Sequence, residues 1–193
     1  MRGSKRRGRA ALRRAPAAPY GCSMDQSALY DEDFYAWSLH QARVLRGLAG
    51  AGLRLPNDLD LEHVAEEIED LGNEQRFAAE SNLVQALVHL IKIVTLPEDQ
   101  AVRHWTKEAG AFLYNAGRRY RPSMRREMDV EALWSDARKL VGRDFEIDGR
   151  EAPPLPAGCP FDLEALVGGD ADPRELAARL AAAVAAPGGA AGA

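Results

Sequence analysis

LDLEHVAEEIEDLGNEQRFAAESNLVQALVHLIKIV, residues 59–94, is the stretch whose reading decides the fold. Asp60 stands where a helix N-cap belongs, and its carboxylate can accept from the otherwise unpaired N–H groups of the first turn. Glu62, Glu66 and Glu67 follow in the first turns, where the positive end of the helix dipole favours them. At 100° per residue, Leu61, Val64, Ile68, Leu71 and Gln75 share one face, whereas Leu83, Leu87, Leu90, Ile91 and Val94 share another turned by roughly 120°. Either the helix breaks at Gly72 and Asn73, or it runs on to Pro97 and offers different faces to different neighbours. An interior glycine costs only about 1 kcal/mol against alanine, which favours the continuous or kinked form. A helix this long with two apolar faces needs several partners, so the rest of the chain is expected to fold around it.

Upstream, Phe34, Trp37, Val44, Leu45 and Leu48 give the three-and-four spacing of one helical face from Asp31 to about Leu48, with Pro56 and Asn57 making the turn that follows. Downstream, Val102, Trp105, Ala109, Phe112, Ala116 and Tyr120 predict a third helix from about Glu98 to Tyr120. Met124, Met128, Leu133, Trp134, Ala137, Leu140 and Val141 predict a fourth, capped by Ser123. Short connections between amphipathic helices of this length imply antiparallel neighbours. EAPPLPAGCP, residues 151–160, is too rich in proline for helix or central strand. Asp162 then introduces a short helix, and Asp172, Pro173 and Glu175 open an Ala-rich one. The expected fold is all-α: an antiparallel bundle of about four main helices with a long central second helix and one or two short C-terminal helices. Residues 24–168 form the bundle and 169–193 an Ala-rich helix and tail.

Residues 1–23 contain seven of the 25 basic residues and no acid, and read as a basic disordered arm or a mis-assigned start. Their removal leaves 18 basic against 29 acidic side chains, a net of −11. Nucleic-acid affinity comes mostly from positive charge neutralising phosphates, so nucleic-acid binding by this body is disfavoured. No uninterrupted apolar run approaches the roughly 18–20 residues needed to cross a bilayer, and no apolar signal segment opens the chain. A cytoplasmic protein without a membrane partner is the expectation. Cys22 and Cys159 are far apart without metal-ligand spacing and are read as free thiols.

Two sets of side chains are candidates for chemistry. His63, Glu67, Asp70 and Glu74 are spaced by four, three and four, so a helix sets them in one stripe that could give N and O ligands to a divalent metal. No Glu-x-x-His pair of the di-iron kind accompanies them, and the competing reading is a solvated acidic flank. Arg118, Arg119, Arg121, Arg125 and Arg126 surround Tyr120 and Pro122. They are suited to gripping an anion or a partner, or to pairing with the acidic first half of the long helix, within the chain or across a dimer. His89 lies opposite Leu87, Ile91 and Val94 and fits a structural histidine better than a catalytic one. The serines lack a nucleophile elbow, and GLAGAG, residues 47–52, follows a helix rather than joining a strand to one, as a phosphate loop would.

Five blocks in register carry a family resemblance: YDEDFYAW at 30–37, LDLEHVAEEIEDLG at 59–72, LVHLIK at 87–92, Trp105, and CPFDLEAL at 159–166. Together they resemble the bacterial family known as domain of unknown function 29, over about residues 29–167. The resemblance implies an all-helical fold and a prokaryotic cytoplasmic protein, and it implies no activity. IVTLPEDQ after Lys92 and the Ala-rich extension after Asp170 depart from the family pattern. The expected function is a protein-interaction or regulatory module without catalytic activity or cofactor, acting on a protein partner or on itself. The alternatives are a metal-dependent enzyme at His63, Glu67, Asp70 and Glu74, and a nucleic-acid accessory protein using the arginine turn.

Overall fold

The computed structural model describes residues 26–52, 56 and 58–186, and every regular element among them is helical. In order these are α1 (Gln26–Glu32), α2 (Phe34–Gly50), α3 (Leu61–Thr95), α4 (Val102–Arg119), α5 (Val130–Ile147), α6 (Leu163–Val167) and α7 (Pro173–Ala185). A 3-10 turn, Pro122–Arg126, joins α4 to α5. The readings of residues 1–23 and of the terminal PGGAAGA lie outside the described residues.

The long helix runs unbroken through Gly72 for 35 residues, and Asp60 caps it by accepting from the His63 N–H at 3.2 Å. Its two halves have different neighbours. Ser38 of α2 lies against Gly72 in the first half. In the second half His89 reaches Glu108 of α4, and Lys92 pairs with Asp144 of α5 at 2.6 Å. Leu83, Leu87, Leu90 and Ile91 are buried here with Leu113, Met124, Trp134 and Val141. An 18-residue window of α3 reaches a mean hydropathy of 1.3, enough by length and composition for a bilayer span. Its most apolar part, around Leu83–Ile91, is the part packed inside the bundle.

Three boundaries differ from the sequence reading. Asp33 divides the first expected helix, ending α1 and capping α2 by accepting from the Ala36 N–H at 2.9 Å. α4 starts at Val102 without a side-chain cap, after a turn in which Asp99 accepts from the Ala101 N–H. Ser123 does not cap the next helix, because Pro122 opens the 3-10 turn. Asp129 caps α5 instead, accepting from the N–H groups of Glu131 and Ala132.

The proline-rich segment is fastened by polar contacts to its backbone. Trp134 Nε1 donates to Pro156 O at 3.1 Å and Arg138 donates to Ala157 O at 3.1 Å. Glu131 accepts from the Cys159 N–H at 2.9 Å. Phe161, Leu163 and Leu166 then enter the core, and α7 adds Leu176 and Leu180. Burial of each such side chain contributes about 1.5–3 kcal/mol, which is why a five-residue α6 holds its place.

Candidate functional site

The first half of α3 buries small residues, and this is the chief departure from the sequence reading. Ala65, Gly72 and Ala79 are fully covered. Of the stripe expected to pack, Leu61, Val64, Ile68, Leu71 and Gln75, none is fully covered: Leu61, Ile68 and Gln75 are half-buried, and Val64 and Leu71 are exposed. Tyr30, Val44, Leu48, Val64 and Leu71 keep between 38% and 52% of their surface exposed. Small residues win the seam because they let the two backbones approach closely, which a leucine in Gly72's place would prevent.

The direction of the uncovered residues follows from helical geometry. Turning by 100° per residue from the Ser38–Gly72 contact, Ile68, Val64 and Leu71 fall roughly 40–100° to one side of α3, and Glu69 and Arg76 to the other. On α2, Phe34, Leu45, Trp37, Leu48 and Val44 fall roughly 20–120° to one side, and Arg46 to the other. The Arg46–Glu69 ion pair at 2.5 Å shows which sides coincide. The apolar residues of both helices therefore share one face of the α2/α3 hairpin.

Aromatic rings close one end of that face. Tyr30 meets Trp37 edge-on at 4.8 Å and Phe34 edge-on at 5.4 Å, while Phe34 and Trp37 stack at 5.4 Å. Next to them a groove of about 620 Å³ is lined by Tyr30, Phe34, Leu71, Gln75 and Ala78, with Glu74 and Arg119 at its charged edge. Edge-to-face pairs of this kind are favoured by the ring quadrupoles and add about 0.5–1.5 kcal/mol each beyond the area they bury.

His63, Glu67, Asp70 and Glu74 occupy the side of α3 turned away from α2, and all four are exposed. His63 Nδ1 is 2.6 Å from Asp60 Oδ2, and this partner raises the imidazole pKa while His63 lowers that of Asp60. The stripe does not converge: among the described residues no group of three or more His, Cys, Asp or Glu is arranged to hold a metal.

The five arginines are likewise dispersed. Arg121 donates to the carbonyls of Glu32, Arg118 and Tyr120. Arg125 pairs with Glu164 of α6, so within the chain this arginine does not meet the acidic first half of α3. Arg118 lies 5.8 Å over the Tyr114 ring, Arg119 edges the groove, and Arg126 is exposed. Cys159 offers no ready nucleophile, since burial pushes its thiol up to about 11 and the Glu131 charge adds to the effect.

Two polar groupings were not legible in the sequence. Arg76 and Glu80 pair at 2.6 Å while nearly covered, beside the buried Tyr35, with Arg76 lying 4.4 Å over Phe77. Burial raises the Tyr35 hydroxyl pKa and Arg76 pulls against it. His89 Nε2 and His104 Nε2 both approach Glu108 Oε2, at 3.4 and 3.3 Å, and His89 stacks on Phe112. The Arg76 and Glu80 spacing of four was a possible signal for the first; the second joins two helices and leaves no local trace.

The fold is shared with a solved structure: the crystal structure of an alpha-helical protein of unknown function from Rhodospirillum rubrum. The two are 29% identical with a TM-score of 0.72, over 78% of this chain and 96% of that one. No curated protein matches. Residues 29–170 match the family profile described as Domain of unknown function DUF29, and the chain belongs to that family.

Proposed function

We propose that the protein is a non-catalytic interaction module that docks a protein partner through the apolar face of the α2/α3 hairpin. The observation that carries the reading is the exposure of Val44, Leu48, Val64 and Leu71 on one face while alanine and glycine fill the seam behind them. A contiguous apolar face rimmed by charge is costly to leave in water and is the usual mark of a protein contact. Aromatic residues such as Tyr30, Phe34 and Trp37 suit the anchoring positions of such contacts. The dispersed histidine and carboxylate stripe, and a turn in which Arg121 is spent on carbonyls and Arg125 on Glu164, give the alternative chemistries less support.

Leu71→Glu tests the reading, since Leu71 is half exposed and the change leaves the core intact. Immobilised wild-type chain should retain a bound protein, its own copy or another, that the Leu71→Glu chain loses. The Ile147→Glu chain, altered at an exposed residue at the end of α5, should retain it. Equal retention by the first two chains overturns the proposal.

A further inference from the structure

We infer that the groove between α3 and α5 binds an unbranched, fatty-acid-like carboxylate, with its hydrocarbon chain along Leu133 and Leu140 and its head at Arg143. The site is independent of the docking face. On α3, Glu80, Val84 and Phe77 fall roughly 80–140° round from Gly72 on the side of Arg76, away from Leu71 and Val64. The groove measures about 590 Å³, within the range of ligand-binding clefts.

Its lining is graded in exposure and in charge. Leu133 is buried, Val84 and Leu140 are half-buried, and Phe77 keeps 51% of its surface exposed. Glu80, Asp136, Lys139 and Arg143 border these residues, and three of the four charges are already neutralised. Glu80 holds Arg76 at 2.6 Å, and Asp136 holds Lys139 at 2.9 Å. The exposed Arg143 guanidinium has no ion-pair or hydrogen-bond partner among the described residues. The apolar floor thus ends, along α5, at one uncompensated positive charge. A carboxylate is the acceptor whose two oxygens match the planar guanidinium fork.

Dimensions select a chain rather than a helix as the occupant. From Leu133 to Arg143 the lining advances along α5 by about 15 Å. Just beyond Arg143, Lys92 of α3 pairs with Asp144 of α5 and joins the two helices. A volume of 590 Å³ over that length leaves a mean section of about 40 Å², half of what a helix about 10 Å across occupies. An extended chain advances about 1.2 Å per bond, so the lining accommodates about twelve carbons.

Titration calorimetry of the full chain with sodium dodecanoate, below its micelle concentration, tests the inference. Wild type should bind one dodecanoate per chain, with amide chemical-shift changes confined to 77–85 and 133–143. Arg143→Glu and Phe77→Ala alter exposed side chains and should each weaken binding at least about tenfold, with helix content unchanged. Leu71→Glu should bind as wild type does. Acetate carries the head without the chain, and dodecyltrimethylammonium the chain with the opposite head; each should bind at least about tenfold more weakly than dodecanoate. Absence of binding at about 1 mM dodecanoate overturns the inference, as does binding indifferent to Arg143→Glu. Loss of binding in Leu71→Glu, with shifts around Tyr30, places the amphiphile on the α2/α3 face and overturns it too. Equal binding of acetate reduces the site to an anion contact and equal binding of the ammonium to an apolar one, and either result overturns the assignment.

Discussion

Gly72 and Ser38 meet so closely that a methyl group on Gly72 would stand 1.9 Å from Ser38 Oγ and 3.0 Å from its Cβ. Ser38 is fully buried, and its hydroxyl donates to Tyr35 O at 2.9 Å, so the oxygen is held where the glycine leaves room. The contact marks a point of close approach between α2 and α3, with Ala65 and Ala79 buried on either side of it along α3.

Gly72→Ala should therefore destabilise the protein although alanine is the better helix former. The helix gains about 1 kcal/mol from the substitution, while forcing a methyl into this seam costs about 1–3 kcal/mol. A net loss of roughly 1 kcal/mol corresponds to a fall of about 2–4 °C in Tm for a chain of this size. Ser38→Ala removes the nearest atom, so the double variant should lose less than the sum of the two single variants. Thermal melts of the four chains measure the coupling, and a Gly72→Ala chain more stable than wild type refutes the account.

The arginine turn acts as a clasp on the N-terminal helices. Arg121 Nε donates to Glu32 O at 3.0 Å, and Ser123 Oγ donates to Asp33 Oδ1 at 2.8 Å, the same oxygen that caps α2. Both bonds join the segment after α4 to the junction of α1 and α2. Arg121→Ala should cost about 1–2 kcal/mol, at the low end for charged donors because the site is exposed. Amides of α1 and the first turn of α2 should exchange several-fold faster, with those of Leu83–Ile91 unchanged. Lysine should not restore protection, since it lacks the planar fork that reaches several carbonyls at once. Uniform acceleration throughout the chain would count against a local clasp.

The helices were legible in the sequence because each carries its own instruction: Asp60, Asp162 and Asp172 before apolar periodicity, prolines after it. The continuity of α3 through Gly72 was favoured by the sequence but not decided by it, since Asn73 follows the glycine and no proline stands with them. Which face of α3's first half would be buried was not. Periodicity weighs Val64, Ile68 and Leu71 above Ala65, Gly72 and Ala79 because they are larger and more apolar. Close approach of two backbones reverses that weight, and it depends on Ser38, 34 positions away. The same limit applied to the candidate sites. Spacing put His63, Glu67, Asp70 and Glu74 in one stripe, but whether a stripe is a site depends on what another helix brings to it. Here α2 lies on the opposite side. His89 and Glu108 illustrate the converse, a pair made wholly by the meeting of α3 and α4.

His89 makes stability depend on pH in a direction its surroundings fix. Its side chain is only 13% exposed, its ring stacks on Phe112 at 5.6 Å, and its Nδ1 is buried without a partner. Burial lowers its pKa below the ordinary 6.5; the Glu108 carboxylate pulls it up, and Lys92 and His104 push it down. The folded state thus binds this proton more weakly than the unfolded chain. The contribution of neutral His89 is whole above the unfolded pKa, is lost as pH falls from 6.5 towards the lower folded value, and is constant below that. His63 has the opposite sign, raised by Asp60, but it is fully exposed and contributes little. Melting temperature should accordingly decline between pH 7.5 and pH 5 in wild type, and decline less in His89→Gln, which keeps a polar side chain without the titration. His63→Ala should follow the wild-type slope at the acid end. Calorimetric melts across that range decide it, and a His89→Gln chain whose melting temperature falls as steeply as wild type would show that another group carries the proton.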